Sequence, residues 1–361
     1  MRREASHFAG AGGAAARAER RETLDTRVEP GRPPAPLAGE ARLGWARWLL
    51  QRRETGIVGV AVAMVVVFQI LTTTFLTATN LSVIFQLAAE IAIIAVAEVP
   101  LMVLAEIDLS LGNIFALSSF VMYFAYQAHL GLVAGIAAGV ASGAVVGLLN
   151  GLITVKLRVP SFIGTLGMLY ALNGFTLIIS GGYPVITPAG GGLASVMGAA
   201  NAAPFIWAGV IVVVWHVFLN RTRVGGYTVA VGSNPVASRE AGIQVDQVKI
   251  LAFVLAGALA ALTGIIEAFH LSSIDPLAGG TGLLLEGIAA AVIGGTALTG
   301  GSGTIVGAAV GAFVISGLND GLNVLGVNAY AFDLILGVAI VVAMVLNTRI
   351  ARSGGASRGD V

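Results

Sequence analysis

The sequence predicts an all-α, polytopic integral membrane protein with about ten transmembrane helices and both termini in the cytoplasm. Of its 361 residues, 57% are hydrophobic and 11% are charged, and the mean hydropathy is +0.90. Soluble proteins average about 25% charged residues, so the composition favours a membrane protein. Long apolar runs and a one-sided distribution of basic residues support the same class. The net charge of +1 argues against a nucleic-acid partner.

Ten segments are apolar enough to be transmembrane spans, each of which needs about 20 residues. They are 56–76, 81–104, 111–127, 132–154, 161–180, 204–219, 250–269, 285–299, 304–325 and 331–347. If the N-terminus is cytoplasmic and the spans alternate, every later Lys and Arg falls on the cytoplasmic side, as the positive-inside rule requires. These basic residues are Lys156, Arg158, Arg221, Arg223, Arg239, Lys249, Arg349, Arg352 and Arg358.

The flanking segments are predicted to be cytoplasmic tails. Residues 1–55 contain 11 of the 20 Lys and Arg residues and are rich in Ala, Gly and Pro, which is typical of disorder. The first apolar run begins at Gly56, too late for a secretory signal. The sequence therefore divides into a tail at 1–55, a transmembrane domain at 56–347 with a cytoplasmic loop at 220–249, and a tail at 348–361.

Regularly spaced glycines predict close helix packing. The fourth span has glycine at every fourth position from Gly131 to Gly151, and the ninth has Gly303, Gly307 and Gly311. Small residues at this spacing let membrane helices approach closely. A sliding surface for helix movement is the functional alternative.

Several polar residues fall within the predicted spans or at their ends. Glu98, Asn113, Asn150 and Asn173 are candidates for lining a polar path, with interior hydrogen bonds that fix packing as the alternative. The predicted spans also contain carboxylates that have no Lys or Arg at a similar depth. These are Glu90, Glu98, Glu267, Glu286, Asp320 and Asp333.

The segment AEIDLSLG at 105–112 places two carboxylates in a predicted cytoplasmic-side turn. Glu106 and Asp108 would point about 200° apart on a helix, so they do not form an acid–base pair on one helical face. Asp108 is expected to cap the next helix by accepting a hydrogen bond from an N–H near Ser110 or Leu111. Ser110 is the alternative cap.

The loop at 220–249 is predicted to contain one short helix, Pro235–Ala241. Asn234 would be its N-cap, Pro235 would occupy its first turn, and Gly242 would stop it. The pattern fits either an ordinary surface helix or a docking element for a cytosolic partner.

The chain lacks the common sequence motifs of catalytic sites. No GxxxxGK[ST] or HExxH motif occurs, and the chain contains no cysteine. The sequence therefore predicts no enzymatic activity, cofactor or metal in this chain, and energy would come from an ion gradient or a separate ATPase. An ion-coupled carrier that uses Glu90, Glu98 and Glu267 as proton sites remains an alternative.

Four motifs in order resemble the membrane permease subunit of bacterial ABC importers for monosaccharides, the ribose/xylose-type permease family. AEIDLSLGN at 105–113 is similar to that family's GGIDLSVGS or GEIDLSVGS, and NGLITVKLRVPSFIGTLG at 150–167 is similar to NGLLI…PSFIVTLGT. AVGSNPVASREAGIQV at 230–245 and AVIGGTALTGGSGT at 291–304 also have counterparts. Ala105 and Glu106 replace the two glycines of GGID, and the GGRGS turn lacks its arginine here.

The resemblance implies a transporter subunit in a bacterial inner membrane, assembled as a homodimer. It implies a cytosolic ATPase subunit that binds ATP, and an extracytoplasmic sugar-binding protein. Pro235–Gly242 would be the coupling helix, with Arg239, Glu240 and Ala241 facing the ATPase. A path past Glu106 and Asp108 would carry a monosaccharide, and a xylose-like pentose is the leading candidate substrate. Branched-chain amino acids and nucleosides remain alternative substrates.

Overall fold

The computed structural model describes residues 53–328, 331–338 and 341–342. This part of the chain is mainly helical, which confirms the predicted all-α class at that level. The longer helices are α1 (Arg53–Leu71), α2 (Ala78–Val103), α3 (Leu111–Gln127), α4 (Leu132–Val155), α5 (Ser161–Ser180), α7 (Ala203–Arg221), α10 (Val245–Leu271), α11 (Gly280–Ile293) and α12 (Ile305–Val324). The shorter helices are α6 (Gly191–Ala194), α8 (Arg223–Ser233) and α9 (Pro235–Glu240). Two short strands, β1 (Val185–Ile186) and β2 (Ser273–Ile274), pair antiparallel with Val185 opposite Ile274.

Six helices in the described residues are long and apolar enough to cross a membrane: α2, α4, α5, α7, α10 and α12. Two apolar helices are shorter, Gly56–Leu71 within α1 and all of α11. The chain is therefore a multi-pass membrane protein. Residues 1–52 of the tail predicted at 1–55 and the whole tail predicted at 348–361 lie outside the described residues, whereas residues 53–55 begin α1. Of the predicted span 331–347, residues 331–338 and 341–342 are described and are helical.

The predicted cytoplasmic loop at 220–249 contains more helix than the single short helix that was predicted. Thr222 accepts a hydrogen bond from the Gly225 N–H (3.1 Å) and caps α8, and α10 begins at Val245 instead of residue 250. The first turn of α10 buries Val245 and Val248 but carries polar residues between them. Counting continuous apolar residues misses such an amphipathic helix end, because only one of its faces is buried.

The predicted glycine packing is confirmed on α4. A Cβ at Gly143 would collide with the carbonyl oxygen of Gly257, and one at Gly147 with that of Phe253. Further along, Gly139 lies against the Ser118 carbonyl of α3. The glycine row therefore brings α4 into backbone contact with α3 and, over the larger part of its length, with α10.

Helix α2 occupies the interior of the described bundle. Every residue from Ile91 through Leu104 is buried, and α2 packs against α10, α11 and α12. Helix α11 ends at Ile293 instead of continuing to residue 299, because Gly295 has a φ of +96°, which a right-handed helix does not allow. The two turns that follow α2 and α11 lie side by side, as described below.

Candidate functional site

The turn between α2 and α3, residues 104–110, is held by hydroxyl groups of α5. The Leu109 N–H donates to Thr165 Oγ1 (3.0 Å), and the Ile107 N–H donates to Ser161 Oγ (3.4 Å). Both hydroxyl residues are buried at the start of α5. Sequence reasoning missed these two roles, although both residues belong to the PSFIGTLG motif that follows Asn150.

Asp108 is fully buried and accepts several hydrogen bonds within this turn. Its Oδ1 accepts from the Ser110 N–H (2.9 Å) and the Ser110 hydroxyl (2.6 Å). Asn150 Nδ2 of α4 donates to both carboxylate oxygens (3.1 and 3.0 Å). The predicted bond from the N–H of Ser110 to Asp108 is confirmed, and Ser110 itself makes no side-chain capping bond. Asp108 thus joins the α2–α3 turn to α4.

The hydrogen bonds explain how the Asp108 carboxylate tolerates burial. All its hydrogen-bonded neighbours are donors, which suits a charged carboxylate that can only accept. Burial raises the pKa of the Asp108 carboxyl from its usual value, while the bonds from Ser110 and Asn150 lower it. A buried carboxylate of this kind depends on its donors, because each lost donor leaves charge without compensation.

Glu98 lies beside this cluster, one and a half turns before the end of α2. It is fully buried, and the Asp108 carboxyl group is a nearby charge. No hydrogen bond of normal geometry reaches either Glu98 oxygen within the described residues. Glu98 is therefore a buried carboxyl group without a hydrogen-bond donor in the described part of the chain.

The other predicted path residues are placed differently. Asn113 is buried on α3 and donates to the Leu169 carbonyl of α5 (2.6 Å). Asn173 lies one turn further along α5, half-buried, and forms no hydrogen bond among the described residues. The structure therefore brings together Glu98, Asp108 and Asn150, while Asn113 makes a separate contact and Asn173 does not join them.

Glu106 forms an ion pair with Lys249 of α10. Both side chains are largely buried, with 11% of Glu106 and 24% of Lys249 exposed. Sequence reasoning placed both residues on the same side of the membrane but did not pair them. Glu106 and Asp108 thus have separate partners, which agrees with the prediction that they do not act as a dyad.

Reversing this ion pair provides a test of its contribution. We expect Glu106→Lys and Lys249→Glu each to destabilise the protein, because each places like charges together in a largely buried site. The double variant should recover part of the loss, with a coupling energy of about 0.5–3 kcal/mol. Unfolding free energies of the four proteins in mixed micelles would measure it. The exposed Lys156–Asp246 pair (3.2 Å) is the control, with an expected coupling below about 1 kcal/mol; equal couplings would contradict the prediction.

The ion pair borders a wide cavity at one end of the helical bundle. This end carries four cations, Lys156, Arg158, Arg239 and Lys249, and is termed the basic end. The cavity has a volume of about 1060 Å³ and is lined by the α4–α5 connection, by α9 and by the start of α10. Asp246 lies between two of the cations, 3.2 Å from Lys156 and 3.7 Å from Arg239.

Helix α9 at the basic end is the predicted short helix. Asn234 Oδ1 accepts from the N–H groups of Val236 (3.1 Å) and Ala237 (3.0 Å), so the predicted cap is confirmed. The helix ends at Glu240, one residue earlier than predicted, and Gly242 has a φ of +85°. Only Ser238 of α9 is buried, and Val236 is 65% exposed. The helix therefore presents an uncovered apolar residue between polar ones.

The end of α8, just before α9, touches the last residue of α2 and the turn that follows α11. A Cβ at Gly232 would fall on the Val103 carbonyl oxygen and close to the Gly301 nitrogen. The Gly301 N–H donates to that same Val103 carbonyl (2.8 Å). The last residue of α2, the α11–α12 turn (residues 294–304) and Gly232, two residues before the α9 cap, therefore meet at one point.

Metal chemistry gains no structural support at this site. Within the described ranges, no group of three or more His, Cys, Asp or Glu side chains is arranged to hold a metal ion. The absence of cofactors therefore stays a prediction.

A multi-pass helical bundle with a buried polar turn and a short exposed helix is the kind of architecture that membrane transport subunits have. Residues 80–344 match the family described as the permease component of the branched-chain amino acid transport system. The chain belongs to this family of permease components. The resemblance found in the four motifs is thereby confirmed.

Several curated relatives are sugar import permeases. The chain is 42% identical to the xylose/arabinose import permease protein of Sulfolobus acidocaldarius over 301 residues, which are 81% of this chain and 83% of the relative. It is 36% identical to the ribose import permease protein of Escherichia coli K12 over 318 residues (84% and 95%). It is 35% identical to that of Bacillus subtilis over 296 residues (79% and 90%). No solved structure matches the chain significantly.

Proposed function

We propose that this chain is the membrane permease subunit of an ATP-binding-cassette importer for a monosaccharide. The observation that carries this proposal is α9, a capped and exposed helix connected through Gly232 to the end of α2 and to the α11–α12 turn. Such a helix can dock on a cytosolic partner and transmit its movement inward. The sugar permeases among the curated relatives support the substrate class.

The proposed topology has ten spans with both termini in the cytoplasm. The basic end then faces the cytoplasm, in agreement with the positive-inside rule. Residues 56–347 form the transmembrane domain, and residues 1–55 and 348–361 are cytoplasmic tails. The protein acts in a bacterial inner membrane as a homodimer, so that each copy presents one α9 to one ATPase subunit.

The chain is proposed to have no enzymatic activity of its own. A separate cytosolic subunit binds and hydrolyses ATP, and an extracytoplasmic binding protein delivers the sugar. Closure of the ATPase pair would pull α9 and rearrange the α2–α3 and α11–α12 turns, giving alternating access. Arg239, Glu240 and Val236 are the proposed ATPase contacts, since all three side chains are exposed on α9.

The transported solute is proposed to be a pentose of the xylose or ribose type. The curated relatives named above support a sugar over a branched-chain amino acid or a nucleoside. The path is proposed to pass the polar turn that contains Glu106 and Asp108, with Glu98 and Asn150 beside it. Asn113 and Asn173 would border the path on α3 and α5.

Reconstitution with the ATPase subunit and the binding protein tests this function. We expect ATP-dependent uptake of labelled D-xylose that a protonophore does not abolish. Replacing both Arg239 and Glu240 with alanine should weaken ATPase binding about tenfold, equivalent to about 1.4 kcal/mol. Arg221→Ala, at an exposed residue of α7, is the control.

Two results would contradict parts of the proposal. Uptake that collapses with the protonophore at constant ATP would indicate an ion-coupled carrier. Unchanged ATPase binding and uptake in the Arg239/Glu240 variant would remove the coupling role of α9.

A further inference from the structure

The connection between α4 and α5 is a short turn at the basic end. Helix α4 ends at Val155 and α5 begins at Ser161, so only residues 156–160 separate two helices that are long and apolar enough to cross a membrane. A connection this short keeps its side chains at the depth of the lipid headgroups. In the proposed topology these headgroups belong to the cytoplasmic leaflet, whose anionic lipids attract basic residues.

Hydrogen bonds back to α4 fix the backbone of this turn. The Lys156 N–H donates to the Leu152 carbonyl (2.8 Å). The Val159 N–H donates to the Ile153 carbonyl (3.3 Å). Between them, Arg158 has a φ of +57°, a left-handed conformation that glycine and asparagine adopt more readily. The two cations of the turn are therefore carried on a backbone that is held in place.

Positive charge exceeds negative charge in the cavity beside this turn. Four cations and two carboxylates line the cavity, so its lining has a formal charge of +2. The carboxylates are already engaged, one by Lys249 and the other by Lys156 and Arg239. Arg158 is exposed and forms no ion pair within the described residues. The cavity thus has both the charge and the room to take an anion.

Exposed apolar side chains flank the two cations of the turn. Leu157 lies between them and is 70% exposed, and Phe162 and Ile163 in the first turn of α5 are 56% and 60% exposed. A soluble anion would leave these side chains uncovered. An amphiphile with an anionic head and apolar tails complements both parts of the surface, as at other membrane interfaces. Charge and exposure together therefore favour a phospholipid over a soluble anion or an acidic protein surface.

We propose that the basic end binds the phosphate headgroup of an anionic phospholipid, with Arg158 and Lys156 on the phosphate and Leu157 against an acyl chain. This proposal rests on the topology given under the proposed function, and it is independent of the transported solute. Asp246 connects Lys156 to Arg239 of α9. The bound lipid would therefore lie beside the helix that is proposed to meet the ATPase.

Native mass spectrometry of the full-length permease tests the site with two lipids that differ only in their headgroups. Dioleoyl phosphatidylglycerol and dioleoyl phosphatidylcholine are supplied in equal amounts, and we expect the anionic lipid to be retained about tenfold over the neutral one. Combining Lys156→Gln with Arg158→Asn should remove most of this preference, because each basic residue near an anionic surface contributes a factor of about five. Asp246→Asn should raise the preference about twofold by releasing Lys156 from its exposed ion pair.

Two controls separate a site from a general effect of charge. Arg158→Lys keeps the charge and should keep most of the preference, whereas Arg158→Asn fits the left-handed backbone and should still fold. Replacing Arg221 and Arg223 with glutamine removes two exposed cations outside the cavity lining. That variant should bind as the wild type does. An equal loss of preference there would show attraction by net charge alone and would overturn the site.

Other outcomes would assign the cations to a different partner. Displacement of the lipid by inorganic phosphate would indicate a site for a soluble anion. Loss of ATPase binding with an unchanged lipid preference would indicate an acidic surface of the ATPase. Either result would overturn the lipid proposal. If the complete importer transports sugar while the lipid preference is absent, the proposed function stands without the lipid site. Absence of sugar uptake with the preference intact would count against the function alone.

Discussion

Gly232→Ala is expected to reduce sugar uptake about tenfold while ATP hydrolysis continues. The added methyl group would collide with the Val103 carbonyl oxygen, which already accepts a hydrogen bond from the Gly301 N–H. Because every colliding atom belongs to the backbone, the end of α8 must move away from the end of α2 and from the α11–α12 turn. Overpacking of this kind typically costs about 1–3 kcal/mol. Here it would separate Gly232 from Val103 and Gly301, the contacts through which α9 is proposed to act. Uptake per ATP hydrolysed in proteoliposomes measures the loss.

Gly226→Ala on the same helix is the matched control for this prediction. A Cβ at Gly226 would meet nothing within 4 Å, and both substitutions gain helix propensity by about 1 kcal/mol. Uptake in the Gly226 variant should therefore equal that of the wild type. If Gly232→Ala also keeps the wild-type ratio of uptake to hydrolysis, α8 does not transmit movement to the end of α2 and the α11–α12 turn.

Asn150→Ala is expected to destabilise the protein by about 1.5–3 kcal/mol, the range for a hydrogen bond to a charged group. The amide group of Asn150 donates to both oxygens of Asp108 and to the Ser110 hydroxyl (2.8 Å). Without it, the buried Asp108 carboxylate keeps only donors from Ser110. The free energy of unfolding in mixed micelles measures the effect.

Asn173→Ala distinguishes this prediction from a general cost of removing asparagine. Asn173 is half-buried and makes no hydrogen bond in the described chain, so its loss should change stability by no more than about 0.5 kcal/mol. A similar effect of the two substitutions would show that the Asp108 cluster does not stabilise the fold. Asp108→Asn should be milder than Asn150→Ala, because asparagine can still accept from the Ser110 N–H.

Local signals in the sequence were sufficient to predict several elements. Asn234, Pro235 and Gly242 predicted α9 to within one residue, because a cap, a first-turn proline and a stop act within a few positions of one another. Asp108 was predicted to accept the N–H of Ser110 for the same reason. Glycine spacing predicted that α4 packs closely, although it could not identify α10 as the main partner.

Contacts between distant residues could not be predicted in this way. Asp108 and Asn150 are 42 positions apart, and Glu106 and Lys249 are 143 apart. No periodicity or local motif connects such positions, since their meeting depends on how whole helices pack. Glycine at position 232 gave no signal either, because its role is defined by the carbonyl group beside it. The same limit explains why Asn173 was grouped with residues that it does not contact.

The backbone contact between α4 and α10 has a consequence for handling the purified protein. Detergent tails and lipid tails are equally apolar. The α4–α10 contact is held by dispersion forces between main chains, so it changes little when detergent replaces lipid. Helix α5 differs, with large exposed side chains such as Phe162, Tyr170 and Ile178 whose surroundings are replaced on solubilisation. After extraction, the α4–α10 pair should therefore retain its amide protons against solvent deuterium longer than α5 does.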